Sequence, residues 1–366
     1  MKLYLSSALS AAFAITTLLT ACGGGSDGTP PPTATYVATI LASDGTDVAA
    51  PNTESDLKNG WGVAFGATST AWVSSNGEQR ALLFDGNGVP QSLVVAMPTG
   101  SRGAAGPTGI VFNASTTDFQ ITANGNTSSA AFLFATDAGT IAGWSPKVLP
   151  TDAVTAFDDG VGGAVYKGLT KASVNGSNSL LAADFHNAKI DVFDTSFNRL
   201  TTPGAFVDAS VPTGFAPFGI QAVGSAIVVT YAKQNAAATA QVTGAGLGYV
   251  DIFGSDGSLL GHLKSSNGFN APWGVALAPS NFGTFSGDLL IGNFGDGTID
   301  VFDPVSYAYL GKLTVAGGSN FQQAGLWGMA FGNGSHDQPT NALFYAAGPH
   351  GKADGVFGRL DVSTDN

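Results

Sequence analysis

One phrase occurs six times along the chain, and it limits what the rest of the sequence can build. It opens with a glycine inside a short apolar run: Trp61-Gly62-Val63-Ala64-Phe65, Thr108-Gly109-Ile110-Val111-Phe112, Lys167-Gly168-Leu169-Thr170, Phe218-Gly219-Ile220, Trp273-Gly274-Val275-Ala276-Leu277 and Trp327-Gly328-Met329-Ala330-Phe331. Successive glycines lie 47, 59, 51, 55 and 54 residues apart. A period of that length, with loops of variable size, fits one four-stranded blade. The expected fold is therefore all-β: a six-bladed β-propeller.

The remaining strands follow in each repeat. Second strands are expected at 71–74, 131–136, 179–184, 226–231, 288–293 and 342–347, mostly as continuous apolar runs. Strands buried between neighbouring sheets read that way. Third strands are expected at 81–85, 140–144, 189–194, 249–253, 298–303 and 356–362, and outer strands are clearest at 92–97, 258–263 and 308–315. The sixth repeat stops at its third strand. Tyr36-Val37-Ala38-Thr39-Ile40-Leu41 precedes the first repeat and belongs to no other blade. It can complete the sixth blade and close the ring, which would remove an exposed sheet edge.

Charge and cysteine usage narrow the partners. Only 11% of residues are charged and the formal net charge is −12, near −13 without residues 1–21. With no basic stripe, nucleic acid is excluded as a partner. The single cysteine, Cys22, allows no internal disulfide.

That cysteine ends an apolar stretch. Lys2 precedes the uncharged run Leu3–Leu19, which fits the h-region of a signal peptide over residues 1–21. Leu19-Thr20-Ala21-Cys22 resembles the lipobox of bacterial lipoproteins, which implies cleavage before Cys22 and a lipid anchor on its thiol. Gly23 after the cysteine matches the outer-membrane sorting class. The expected location is the bacterial cell envelope, with the membrane as a partner through lipid. Residues 22–35, rich in glycine and then proline, read as a tether of roughly 40 Å at full extension. The propeller would occupy residues 36–366.

Two phrases, Ala182-Ala183-Asp184-Phe185-His186-Asn187 and Ile190-Asp191-Val192-Phe193-Asp194, look like NHL-type propeller repeats. The stretch from 36 to 362 further resembles an uncharacterised family of bacterial exported six-bladed NHL-like propeller proteins. The markers are Asn59-Gly60-Trp61-Gly62-Val63-Ala64-Phe65-Gly66, Pro90-Gln91-Ser92-Leu93-Val94-Val95, Gly163-Ala164-Val165-Tyr166-Lys167-Gly168-Leu169, Thr230-Tyr231-Ala232-Lys233-Gln234 and Gly292-Asn293-Phe294-Gly295-Asp296-Gly297. The resemblance implies a fold and no reaction.

In a propeller, the loops before the first strands and those joining second to third strands surround one mouth of the central channel, here called the upper mouth. The repeat places Trp61, Thr108, Lys167, Phe218, Trp273 and Trp327 there. The aromatics are either packing wedges between blades or a stacking platform for a sugar or other ring-bearing ligand. The second-to-third loops add Glu78, Asp137, Asp184, His186, Tyr231, Lys233, Asn293, Asp296, His350, Lys352 and Asp354. Such residues either cap turns or converge. If they converge, Glu78, Asp184, Asn293 and Asp296 are candidate oxygen ligands for Ca²⁺, with His186 or His350 as general base. The long uncharged insertion 233–248 could cover this mouth. Two functions remain open. One is a binding or scaffold module for a small molecule, glycan or protein. The other is a Ca²⁺-dependent enzyme of the lactonase or lyase type.

Overall fold

The computed structural model describes residues 35–363. Cys22, the signal peptide and most of the tether lie outside the described residues. Six antiparallel sheets follow one another around an axis, each led by one of the six glycine strands. Blade 1 comprises Gly60–Phe65, Ala71–Ser75, Arg80–Phe84 and Pro90–Ala96. Blade 5 has the same order in Pro272–Leu277, Leu289–Asn293, Ile299–Phe302 and Tyr309–Lys312.

The expected ring closure is present. Thr35–Ser43 pairs antiparallel with Val356–Ser363, from Thr35 opposite Ser363 to Ser43 opposite Val356, with a bulge at Leu41. The sixth blade thus takes its fourth strand from the front of the chain and its inner three, Leu326–Phe331, Leu343–Ala347 and Val356–Ser363, from the back, and the two-residue strand Asn52–Thr53 pairs in parallel outside Thr35–Ser43. Tyr36 anchors the seam. Its ring is buried, and its hydroxyl donates to the Phe282 carbonyl at 2.6 Å and accepts from the Phe285 N–H at 3.1 Å.

The six repeat glycines form the inner wall, and bare backbone is needed there because neighbouring inner strands nearly touch. A Cβ on Gly62 would sit 2.5 Å from the Thr108 carbonyl oxygen, and one on Gly274 would sit 2.5 Å from that of Trp327. Gly328 closes the circle against Trp61 and Val63. No side chain fits in those gaps.

The structure adds elements that the repeat conceals. Blade 2 ends in Val154–Asp158 and carries a hairpin, Gln120–Ala123 with Asn126–Ser129, which accounts for its longer spacing. Blade 3 has an outermost strand of only two residues, Arg199–Leu200. In blade 4, Gln241–Val242 folds back from the 233–248 insertion onto Lys233 and Gln234.

Candidate functional site

The aromatic residues at the upper mouth meet on the axis and fill it. Trp61 stacks on Trp327 with ring centroids 3.7 Å apart, and Phe294 stacks on the same ring at 4.1 Å. Trp273 meets both indoles edge-on at 6.3 and 6.0 Å, and Phe218 lies 5.7 Å from Trp327. Trp61, Phe218 and Trp327 are 0–2% exposed and Trp273 is 9% exposed. The rings therefore face one another as a plug and do not form an open platform. The open axial cavity is at the opposite end, about 400 Å³, lined by all six inner strands, including Val63, Phe112, Lys171, Gln221, Leu277 and Phe331.

Two lysines sit on the plug. Lys167 Nζ lies 4.9 Å from the Trp61 ring centre. Lys352 Nζ lies 5.4–5.6 Å from the rings of Trp61, Phe294 and Trp327. Cation–π attraction of this kind strengthens as the ammonium loses water. Burial pulls the Lys167 pKa down to about 8, helped by the nearby Lys352 charge and opposed by Asp137. Lys352 is lowered for the same leading reason, again opposed by Asp137.

The backbone is strained where Lys352 reaches the plug. His350, Gly351 and Lys352 all have positive φ, at 50°, 69° and 78°. Left-handed conformations at two non-glycine residues are unfavourable and persist where the surroundings enforce them. Lys352 Nζ also donates to Gln241 Oε1 at 3.4 Å, so the 233–248 insertion of blade 4 reaches a loop of blade 6 at this mouth.

The hydrogen bonds at the plug are unevenly distributed. Trp327 Nε1 donates to Asn59 Oδ1 at 2.9 Å, Asn59 Nδ2 donates to Asn76 Oδ1 at 3.0 Å, and Asn76 Nδ2 donates to Asp137 Oδ2 at 3.2 Å. By contrast, the buried Trp61 and Trp273 Nε1–H groups have no acceptor. Buried donors normally find one. The mouth thus collects two ammonium groups and two free N–H donors, with Asp137 as the carboxylate that acts on both lysines.

The other sequence candidates are dispersed. Asp184 is fully buried and accepts from the Val165 and Asn187 N–H groups and from Asn187 Nδ2. Asn293 accepts from the Asn270 N–H and donates to Asp300. Asp296 accepts from the N–H and hydroxyl of Thr298. Glu78 is exposed. Among the described residues, Glu78, Asp184 and Asp296 form no group of ligand atoms close enough for one ion. His186 is exposed. His350 pairs through Nδ1 with Asp354, which raises its pKa, and these two stand with Asp47 at the rim. Lys233 lies over the Phe215 ring at 5.1 Å. Tyr231 is buried away from the plug, beside a cleft between blades 3 and 4.

Sequence reasoning missed Phe294 and Asn59 as parts of the plug. Both lie in phrases noted for the fold, and their side-chain contacts had no repeat signature.

No known family model matches the chain. Among solved structures it resembles streptogramin B lyase, at 11% identity and TM-score 0.50 over 90% of this chain and 98% of that one. It also resembles a catalytically inactive virginiamycin B lyase from Staphylococcus aureus with quinupristin, at 13% identity and TM-score 0.51 over 92% and 97%. A Bacteroides thetaiotaomicron protein of unknown function matches at 12% identity and TM-score 0.52 over 90% and 76%. These likenesses concern the fold alone. In sequence, an uncharacterised protein of Acanthamoeba polyphaga mimivirus is 32% identical over 336 residues, 89% of this chain and 80% of that one. A second uncharacterised protein of the same virus is 29% identical over 333 residues, 89% and 86%. These relatives are viral, which corrects the bacterial family membership read from the sequence motifs; those motifs report the propeller and not its source. The chain belongs to the family represented by these mimivirus proteins.

Proposed function

We propose that the protein is a binding module whose upper mouth accepts an anionic group of its ligand. One observation carries this reading. In a chain of net charge −12, two largely buried ammonium groups and two unsatisfied indole N–H donors are gathered at one place. A carboxylate or phosphate entering there would accept from those donors and restore favourable charge to Lys167 and Lys352. The strained turn at 350–352 supports the reading, because it commits Lys352 to the plug.

Tryptophan fluorescence tests this directly, since three of the five tryptophans form the plug. Titration of the full chain with acetate, inorganic phosphate and glucuronate, against chloride at equal ionic strength, should give a saturable change for at least one anion. Lys352→Gln should weaken that binding about tenfold, the usual loss when a charged hydrogen bond of about 1.5 kcal/mol goes. Responses that never saturate, or that Lys352→Gln leaves intact, refute the proposal.

A metal-assisted lactonase or lyase activity is a second reading. Asp47, His350 and Asp354 favour it, because their ligand atoms lie within 4.8 Å of one another at the rim of this mouth. Turnover of a lactone that depends on Asp354 would favour it over simple binding.

A further inference from the structure

Three neighbouring blades carry an aspartate at the same point of the third strand: Asp191, Asp251 and Asp300, each buried. A tyrosine also approaches each of them. In blade 3, Asp191 Oδ1 accepts from Lys189 at 2.5 Å and Oδ2 from the Tyr166 hydroxyl at 2.8 Å, with Arg199 at 3.4 Å. In blade 5, Lys312 lies 3.1 Å from Asp300 Oδ1, the Tyr309 hydroxyl donates to Oδ1 at 3.2 Å, and Asn293 donates to Oδ2 at 3.0 Å. Both carboxylates are neutralised and hydrogen-bonded on both oxygens, as buried charges require.

Blade 4 breaks the pattern. Its aspartate faces a histidine where blade 5 has lysine: Asp251 stands opposite His262 across the strands, as Asp300 stands opposite Lys312. A second carboxylate, Asp208, enters from the loop between blades 3 and 4. His262 Nδ1 lies 2.8 Å from Asp251 Oδ1 and 3.3 Å from Asp208 Oδ2. Among the described residues, no lysine or arginine pairs with either acid. Asp251 Oδ2 has no hydrogen-bond donor, although the residue is only 1% exposed. The buried Tyr231 hydroxyl is beside Asp251, and burial first, then the Asp251 charge, raises its pKa. Two acids, one imidazole and a phenol make a ligand set short of positive charge.

We propose that Asp208, Asp251 and His262 hold a divalent transition-metal ion on the outer side of blade 4. One imidazole with two carboxylates suits Zn²⁺ or Mn²⁺ better than an all-oxygen ion. Ligands at about 2.0–2.1 Å around a tetrahedral ion stand roughly 3.3 Å apart, and the 2.8 and 3.3 Å separations are near that edge. Two ligands come from adjacent strands in fixed register. The third is held by Ser210, whose N–H and hydroxyl each donate to Asp208 at 2.7 Å. His262 is 40% exposed, and Asp208 and Tyr231 line a cleft of about 630 Å³, so an ion has a way in. Asp251 Oδ2 and the Tyr231 hydroxyl are then placed to serve the ion or a water bound to it.

The test is calorimetric titration of the chelator-stripped full chain with ZnCl₂ and, separately, MnCl₂. One ion per chain should bind, and Asp251→Asn and His262→Gln should each weaken binding by about tenfold or more. His262 is on an outer strand, so His262→Gln keeps the fold even if Asp251→Asn does not. The melting temperature should rise with Zn²⁺ in the parent and stay flat in His262→Gln. Asp47→Asn, at the separate rim group, should bind as the parent does. Absence of stoichiometric binding, binding that survives His262→Gln, or binding lost in Asp47→Asn overturns the proposal.

Discussion

Replacing Lys167 by methionine should make the free protein more stable while weakening its grip on an anion. The reason is the setting of the ammonium, buried at the mouth and without a hydrogen bond among the described residues. Its pKa falls from the ordinary 10.5 to about 8. At about 1.4 kcal/mol per pH unit, that gap represents roughly 3 kcal/mol by which the charged form is disfavoured on folding. Below pH 8 the lysine is protonated in both folded and unfolded chains, and the full penalty is present. Between 8 and 10.5 the unfolded chain binds the extra proton, so stability rises with pH and the penalty fades. Methionine keeps the unbranched shape and removes the charge. Loss of the cation–π contact with Trp61 offsets part of the gain, leaving an expected stabilisation of roughly 1–3 kcal/mol at neutral pH. Urea melts of parent and variant at several pH values check this, because titrating groups not coupled to Lys167 cancel in the difference. The advantage should shrink towards zero above pH 10.5. A variant that is less stable than the parent at neutral pH, or an advantage that ignores pH, would show that the ammonium is a structural partner and not a strained ligand-binding group.

Two further outcomes are expected. Tyr36→Phe should lower stability by roughly 2 kcal/mol, since it leaves the Phe282 carbonyl and Phe285 N–H without their partner in a buried seam; an unchanged urea midpoint would mean that the closing strand contributes little. We propose from the Leu19-Thr20-Ala21-Cys22 motif that lipid on Cys22 anchors the chain. Cys22→Ser should move it from the membrane to the soluble fraction on cell fractionation, and a variant still cleaved and membrane-bound would refute this.

The propeller was legible because its period is covalent. Each blade repeats a glycine that admits no Cβ, so the phrase survives where other residues drift. The closing strand was legible by counting, since the last repeat lacked its fourth strand and Tyr36–Leu41 had no blade. The membership of the upper mouth was also legible from register, which places Trp61, Lys167, Phe218, Trp273 and Trp327 on one end of the inner strands. Whether those rings would line the channel or fill it depends on side-chain packing, which the repeat does not encode. The Asp208, Asp251 and His262 group was hidden for a related reason. Asp251 lies at the third-strand position that Asp191 and Asp300 share, so the repeat does not set it apart, and Asp208 lies in a connecting loop with no repeat. The available signal was the partner across the strands, His262 in blade 4 against Lys312 in blade 5.

The way the sixth blade is completed has a consequence for synthesis. Thr35–Ser43 is among the first segments of the described chain to be made, yet its partner Val356–Ser363 is among the last. At about 5–20 residues per second, the interval between them is roughly 15–60 s. Throughout that time the nine-residue strand Thr35–Ser43 has a native neighbour only at Ala42 and Ser43, in Asn52–Thr53, and the open remainder of such an edge invites wrong pairing. The five preceding blades can assemble from local hairpins, but the ring cannot lock until Val356–Ser363 has been made. A ribosome stalled anywhere before the last strand would therefore hold an open arc of blades, whose front strand is still available to another chain.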